Sequence, residues 1–306
     1  MRKDNFINKE NKFMKKIFSI IFIILCSFFA VSCSSSDNKK WFEFDININL
    51  KEVSNDVISN ELSMAYVATK EAYESLDVKV EFDRLDEVSD GIGCVSKKHN
   101  LKLDYANMIF KIKSTGYGNR DIDKYYNYDE ENKIFYGANI LTKKYIINED
   151  SKRLEAWYES ISVFKMMSGN HLGLITNQIS EASRKKEEYK YFSDGKGNFE
   201  IRYEKTNSGV GSSDVHRLVA DEVLDCEYDR TIRFTYKFED YKLVQIKELM
   251  LGTEKLFNNE TNEFGEELVV YKKFIENIIY GKSLSKMELK GYEKIAENCS
   301  LSILDE

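Results

Sequence analysis

Residues 231–251, TIRFTYKFEDYKLVQIKELML, carry the pattern on which the fold reading turns. Ile232, Phe234, Tyr236 and Phe238 alternate with Thr231, Arg233, Thr235 and Lys237. Successive strand residues point to opposite faces, so a period of two predicts a strand with one apolar face and one wet face. Glu239-Asp240 reads as a turn, and Leu243 to Leu251 returns as an antiparallel partner. Just upstream, Tyr189 and Tyr191 face Phe199, Ile201 and Tyr203 across Asp194-Gly195-Lys196-Gly197-Asn198, a hairpin loop by composition.

The same logic extends along the rest of the chain. Trp41 to Leu50 alternates Phe42, Phe44, Ile46, Ile48 and Leu50 with polar residues, which predicts a half-buried strand. Asp56 caps an expected helix to about Ser75, with Ile58, Leu62, Ala65, Tyr66, Thr69, Tyr73 and Leu76 as its stripe. Val78 to Phe82 is a short strand, and Gly91-Ile92-Gly93 a turn without the third glycine a dinucleotide site needs. Leu101 to Lys113 reads as one strand whose buried parity changes at a bulge near Ala106 and Asn107. Ile134 to Ile147 supplies one or two more strands. Leu154 to Met167 has helical spacing, stopped at Gly169-Asn170, with part of the stretch to Glu188 also helical. Two helices are expected to close the chain, Glu266 to Tyr280 and, from a Ser285/Glu288 capping box, a second to about Asn298. The predicted class is α+β, a twisted antiparallel sheet of meander hairpins packed against several α-helices. A boundary near residue 150 is the alternative, but the chain has no proline, and no Pro-Gly linker marks a division. One domain over residues 41–306 is therefore expected.

The N-terminal region sets the compartment. MKKIFSIIFIILCSFFAVSC, residues 14–33, places two lysines before the 15 uncharged residues Ile17 to Val31. As a helix that run spans about 22 Å, short against a hydrocarbon core of about 30 Å and normal for a signal-peptide core. Met14 is the natural start of such a signal. The run ends in Ala30-Val31-Ser32-Cys33, which resembles the lipobox of bacterial lipoproteins. The resemblance implies cleavage after Ser32, a signal peptide over residues 1–32, and a diacylglyceryl thioether on Cys33. Residues 33–40 then form a short polar tether to the bilayer. Two or more acyl chains anchor stably, since each buried methylene contributes about 0.8 kcal/mol.

The whole chain of 306 residues carries a net charge of −7. Without residues 1–32, which hold six basic and two acidic side chains, the remainder stands at −11. Such a balance excludes nucleic acid, whose phosphates require basic patches, and opposes adhesion to anionic lipid head groups. Cys94, Cys226 and Cys299 allow at most one disulfide, and small buried hydrophobes are the expected role.

No motif names a chemistry. His99, His171 and His216 have no partner at metal-ligand spacing, and each is expected at the surface or in a cap. No Gly-x-Ser-x-Gly elbow occurs, and no cofactor, metal or catalytic residue is assigned. Tyr117, Tyr125, Tyr126 and Tyr128, set among Asn, Gly and Asp, form a candidate recognition loop, because such residues give adaptable contact at low entropic cost. The alternative is an exposed hairpin connection whose tyrosines cover a sheet edge. Asp121, Asp123 and Asp129 lack the glycine and terminal glutamate of a calcium loop. Residues 186–251 resemble the strand meander of lipoprotein-carrier half-barrels, which implies an acyl chain held between a curved sheet and helices. The functional expectation is a membrane-anchored, non-enzymatic binding or structural protein of the cell envelope, taking a hydrophobic ligand or contacting an envelope protein. The alternative is an envelope or extracellular enzyme, hydrolase-like, with an unrecognised site.

Overall fold

The computed structural model describes residues 39–45, 47–75, 77–116, 121–184 and 186–305. The signal segment, Cys33, Met14 and Tyr117 lie outside the described residues. Two units are distinguished, Met1–Glu43 and Phe44–Glu306. In the first, Lys39–Phe42 form a 3-10 turn.

The second unit is α+β and mostly β. Its elements in chain order are β1 (Lys51–Glu52), α1 (Asn55–Glu74), β2 (Lys79–Ser89), β3 (Cys94–Asp104), β4 (Ile109–Thr115), β5 (Ile122–Asp129), β6 (Ile134–Asn139) and β7 (Lys144–Asn148). These are followed by α2 (Lys152–Ser160), α3 (Ser162–Arg184), β8 (Tyr189–Ser193), β9 (Phe199–Ser212), α4 (Asp214–Ala220), β10 (Asp225–Glu239) and β11 (Lys242–Asn258). Last come β12 (Glu263–Phe264), β13 (Leu268–Tyr280), β14 (Glu293–Glu297) and a 3-10 turn, Leu301–Asp305. The strands form one mixed sheet in the order β1-β8-β9-β10-β11-β13-β2-β3-β4-β5-β6-β7-β14, with β12 on β11. Neighbours are antiparallel except β14, which runs parallel to β7. Hairpin connections account for most of that order, because antiparallel neighbours can be joined by tight turns.

Register decides what lies under the helices. Residues directly opposite each other in antiparallel strands share a face. Tyr280, Val80, Leu103, Phe110 and Tyr126 form one row across β13, β2, β3, β4 and β5. Ile278, Phe82, Leu101 and Ile112 form the next. These rows meet Ile58, Leu62, Ala65 and Tyr73 of α1, Trp157 of α2, and Phe164, Met167 and Ile175 of α3 in one core. A smaller core, Val88, Val215, Met250 and Val270, lies under α4. Val88 is six residues along β2 from Phe82, so both cores sit on the same sheet face.

The hairpins around Asp194–Asn198 and Glu239-Asp240 match the sequence reading. Six expectations are corrected. Ile46 lies outside the described residues, and the described residues of the Trp41 to Leu50 stretch form no strand: Leu50 N donates to Asn47 O at 3.2 Å, Asn49 N donates to Asn47 Oδ1 at 3.1 Å, and Ile48 is 88% exposed. The asparagines turn their own backbone, so the apolar alternation finds no partner strand. Leu101 to Lys113 is two strands, and its parity change is a tight turn with Met108 at φ 50°. Tyr125, Tyr126 and Tyr128 lie within β5, not in a loop. The helix does not stop at Gly169-Asn170. α3 runs through them because Phe164, Met167, His171, Ile175, Gln178 and Ala182 keep one stripe buried, and packing outweighs the cost of a glycine.

The closing helices are also absent. Leu268–Tyr280 is a strand between β11 and β2, buried at Val270, Glu276 and Ile278. Its Val, Ile, Phe and Tyr content suits a pleated central position. The 285–298 capping box forms no helix, since Met287 N donates to Tyr125 Oη at 3.1 Å and Leu284 N to Asp104 Oδ2 at 2.8 Å. Side chains of the sheet take the amides that a first helical turn would leave unpaired.

Two glycines test the packing in opposite directions. A Cβ on Gly252 in β11 would stand 2.2 Å from Asp229 O, whereas one on Gly173 in α3 meets nothing within 4 Å. Gly252→Ala is expected to destabilise by about 1–3 kcal/mol or more. Gly173→Ala is expected to stabilise by about 0.5–1 kcal/mol. Urea unfolding of both variants checks the pair.

Candidate ligand-binding cleft

The C-terminal end of α1, the N-terminal half of α3 and the end of β3 enclose a cleft of about 400 Å³. Its deep wall is Tyr73, Leu103, Ile161 and Phe164, all buried, with Leu172 and Tyr105 half-buried beside them. Glu74, Lys165 and Gly169 are exposed at its mouth. Aromatic geometry fixes the wall. Phe164 stacks on Phe82 at 5.0 Å with 3° between the rings, and Tyr73 meets both edge-on at 5.8 and 6.1 Å. Such offset and edge-on pairs add about 0.5–1.5 kcal/mol each beyond area burial. Tyr105 packs edge-on against Trp157 at 6.3 Å and closes the β3 side. Lys165 Nζ lies 5.0 Å from the Tyr158 ring centroid, so a cation stands beside the opening. A Cβ on Gly169 meets nothing within 4 Å, and a bare backbone keeps that edge of the mouth low.

Behind the apolar wall lies a polar cluster. Tyr73 Oη and His171 Nδ1 are 2.8 Å apart, and His171 Nε2 is 3.2 Å from Glu276 Oε1, all three residues being buried. Burial, with Tyr280 and Glu276 nearby, pushes the Tyr73 phenol well above its ordinary range, so it keeps its proton. The cluster reaches the sheet row Ile246, Glu276, Arg84, His99, Ser114, in which His99 Nδ1 and Ser114 Oγ are 2.6 Å apart. Burial and the Arg84 charge lower the His99 pKa.

The second buried histidine works at α4. His216 Nδ1 is 2.8 Å from Asp90 Oδ2, while Asp90 Oδ1 accepts from Ile92 N at 2.9 Å and Gly93 N at 2.7 Å. Burial would raise the Asp90 pKa, but these amides and His216 outweigh it and hold the carboxyl below its ordinary value. His171 and His216 are thus interior residues, against the expectation of surface or capping positions. A sequence cannot show this, because each finds its carboxylate or phenol more than 90 residues away.

The tyrosines expected to form a recognition loop are packed instead. Tyr125, Tyr126 and Tyr128 are buried. Tyr126 stacks between Phe110 and Phe135 at 6.1 and 6.2 Å, and Tyr125 Oη accepts from Met287 N on the opposite face. Both faces of β5 are covered, so neither the exposed-loop reading nor its hairpin-edge alternative describes these residues. Tyr-Tyr-Asn-Tyr has strong strand preference, a signal masked by the Gly, Asn and Asp around it. Asp129 is spent on Asn132, whose N and Nδ2 donate to it at 3.1 Å each, and Asp123 stands 3.7 Å from Lys113 Nζ. Among the described residues no group of three or more His, Cys, Asp or Glu is placed to hold a metal ion. Cys226 and Cys299 are free thiols whose pKa burial raises, and Cys94 Sγ lies 3.5 Å from Tyr271 Oη. No helix of the described residues is long and apolar enough to cross a membrane. The sequence matches no protein-family model and no curated protein.

Tyr73→Phe leaves His171 Nδ1 without its partner and is expected to cost about 1–3 kcal/mol, read by Trp157 fluorescence during urea unfolding. Asp90 has a depressed folded-state pKa, so its stabilisation is complete above the ordinary value of 3.8 and is lost as pH falls through the lower folded value. The stability gap between the parent and Asp90→Asn should therefore hold constant above about pH 5 and narrow as the solution is acidified further.

Proposed function

We propose that the protein is a membrane-anchored, non-enzymatic binding protein of the cell envelope. An acylated Cys33 holds it at the bilayer, and the cleft under α1 and α3 takes a hydrophobic ligand. The observation that carries this reading is the cleft itself, whose volume of about 400 Å³ falls within the range of small-molecule sites. Its apolar wall suits a hydrocarbon chain, and the Lys165 ammonium at the mouth suits an anionic head group. The general scheme, an apolar space between a sheet and the helices over it, is that of the lipoprotein-carrier half-barrels that residues 186–251 resemble, although here the walls come from α1, α3 and β3.

The test is a titration of the full chain with a fluorescent long-chain acyl probe, displaced by unlabelled fatty acid. Gly169→Phe projects a ring over the mouth at a position where a Cβ is unopposed. It should weaken probe binding by about tenfold or more, a difference near 1.4 kcal/mol, while leaving urea stability intact. Equal probe affinity in the parent and Gly169→Phe contradicts the assignment of the cleft. Radiolabelled palmitate should enter the parent chain and not Cys33→Ala, and an unlabelled parent contradicts the anchor.

A further inference from the structure

On the other side of the Tyr73–His171 contact, α3 and the sheet enclose a second, smaller pocket of about 170 Å³. Its walls include Arg84, His171, Leu174, Glu248, Phe274 and Glu276. Glu248 pairs with Phe274 in the β11–β13 register, and Glu276 lies two residues further along the same strand. The two glutamates are therefore diagonal neighbours on one face, a spacing of about 7–8 Å between backbones that lets both carboxylates reach a common point.

The Glu276 side chain is only 3% exposed, and its Oε1 accepts no hydrogen bond among the described residues. His171 Nε2 is at ion-pair distance, 3.2 Å, but forms no hydrogen bond there. Leaving a charged acceptor buried and unpaired costs more than the about 1–3 kcal/mol of a neutral one, so this oxygen calls for a donor. The Arg84 guanidinium in the wall is partly engaged elsewhere. Arg84 Nε donates to Asp86 Oδ2 at 2.9 Å, and its guanidinium lies over the Phe274 ring at 4.5 Å. Glu248 Oε1 has the Tyr236 hydroxyl at 3.2 Å. Three carboxylates, Asp86, Glu248 and Glu276, thus meet two fixed cations, Arg84 and Lys97, in neighbouring register positions on this face of the sheet, an acidic excess beside His171.

We propose that this pocket binds the ammonium group of a small primary amine. Such a group brings positive charge and three donors on one atom, enough to serve Glu276 Oε1 and Glu248 together. A neutral alcohol or amide would supply donors without charge. A metal ion is disfavoured by the donor set, in which no three ligating side chains converge. The volume admits a head of a few non-hydrogen atoms and is well below the about 300–1,000 Å³ of drug-sized sites.

The probe is ethylammonium chloride, titrated into the full chain in mild detergent and followed by saturation-transfer NMR and by thermal unfolding. Sodium propionate serves as a control of matching size and opposite charge. Saturable ethylammonium binding is expected, with an accompanying rise in Tm and no binding of propionate. Glu276→Gln and Glu248→Gln should each weaken it by about tenfold or more. Should Glu276→Gln fail to fold, Leu174→Trp fills the pocket from the half-buried α3 side and should abolish binding. Gly169→Phe, which blocks the other cleft, should leave ethylammonium affinity within about twofold, so failure here is separable from failure of the apolar site. Absence of saturation, propionate binding as tight as ethylammonium, or unchanged affinity in both the Glu248→Gln and Leu174→Trp variants overturns the proposal.

Discussion

The stack of Phe164 on Phe82, 5.0 Å apart and nearly parallel, is the contact on which the rest of the body depends. It fixes the longest helix across the middle of the sheet, where β2 passes between β13 and β3. Both rings are buried, and each contributes about 1.5–3 kcal/mol by leaving water. α1 in turn packs on α3, and Tyr73 touches both members of the stack. Displacing Phe164 would uncover the cleft wall, break the alignment of Tyr73 with His171 and open Glu276 to solvent.

That placement explains why a sheet of this length is covered unevenly on one face. Helices α1, α2 and α3 cover the apolar rows at one end of the strands, and α4 covers a second apolar patch at the other. Between them run Glu276, Arg84, Asp86 and Glu248, in register positions that would be apolar in a uniformly packed core. Glu276 is buried and the other three are half-buried, and ionic groups taken out of water are poor contributors to stability, because desolvation offsets their attraction. Their presence on the floor between two helical covers marks the sites at which stability has been exchanged for polarity.

Hairpins were legible wherever alternation and turn chemistry agreed, as in residues 189–203 and 231–251. The α1 stripe was legible from its spacing alone, since the N-cap is Ser54, with no side-chain cap bond, and not the expected Asp56. Alternation alone failed at Trp41 to Leu50, where a strand has no neighbour to pair with. Helical spacing alone failed at 266–280, because Leu268, Tyr271, Ile275 and Ile278 fit a helical stripe while the strand buries Val270, Glu276 and Ile278 on the alternate residues. The cleft was only partly readable. Its aromatic residues were assigned to helix stripes and strands, but its existence depends on how α3 crosses β3, which no local pattern encodes. The interior roles of His171, Glu276 and Arg84 arise from register across strands far apart in sequence, so they were invisible before the topology was known.

Helix α3 is thus docked by aromatic stacking and leaves a hydrocarbon-sized space at its edge. The most direct measurement is native mass spectrometry of the full chain purified in mild detergent from its own cells, with detergent removed in the gas phase. One acyl-containing molecule per chain, over and above the mass of the proposed covalent anchor, is the predicted result. A chain with no bound acyl-containing molecule beyond any covalent modification, in every charge state, would contradict it.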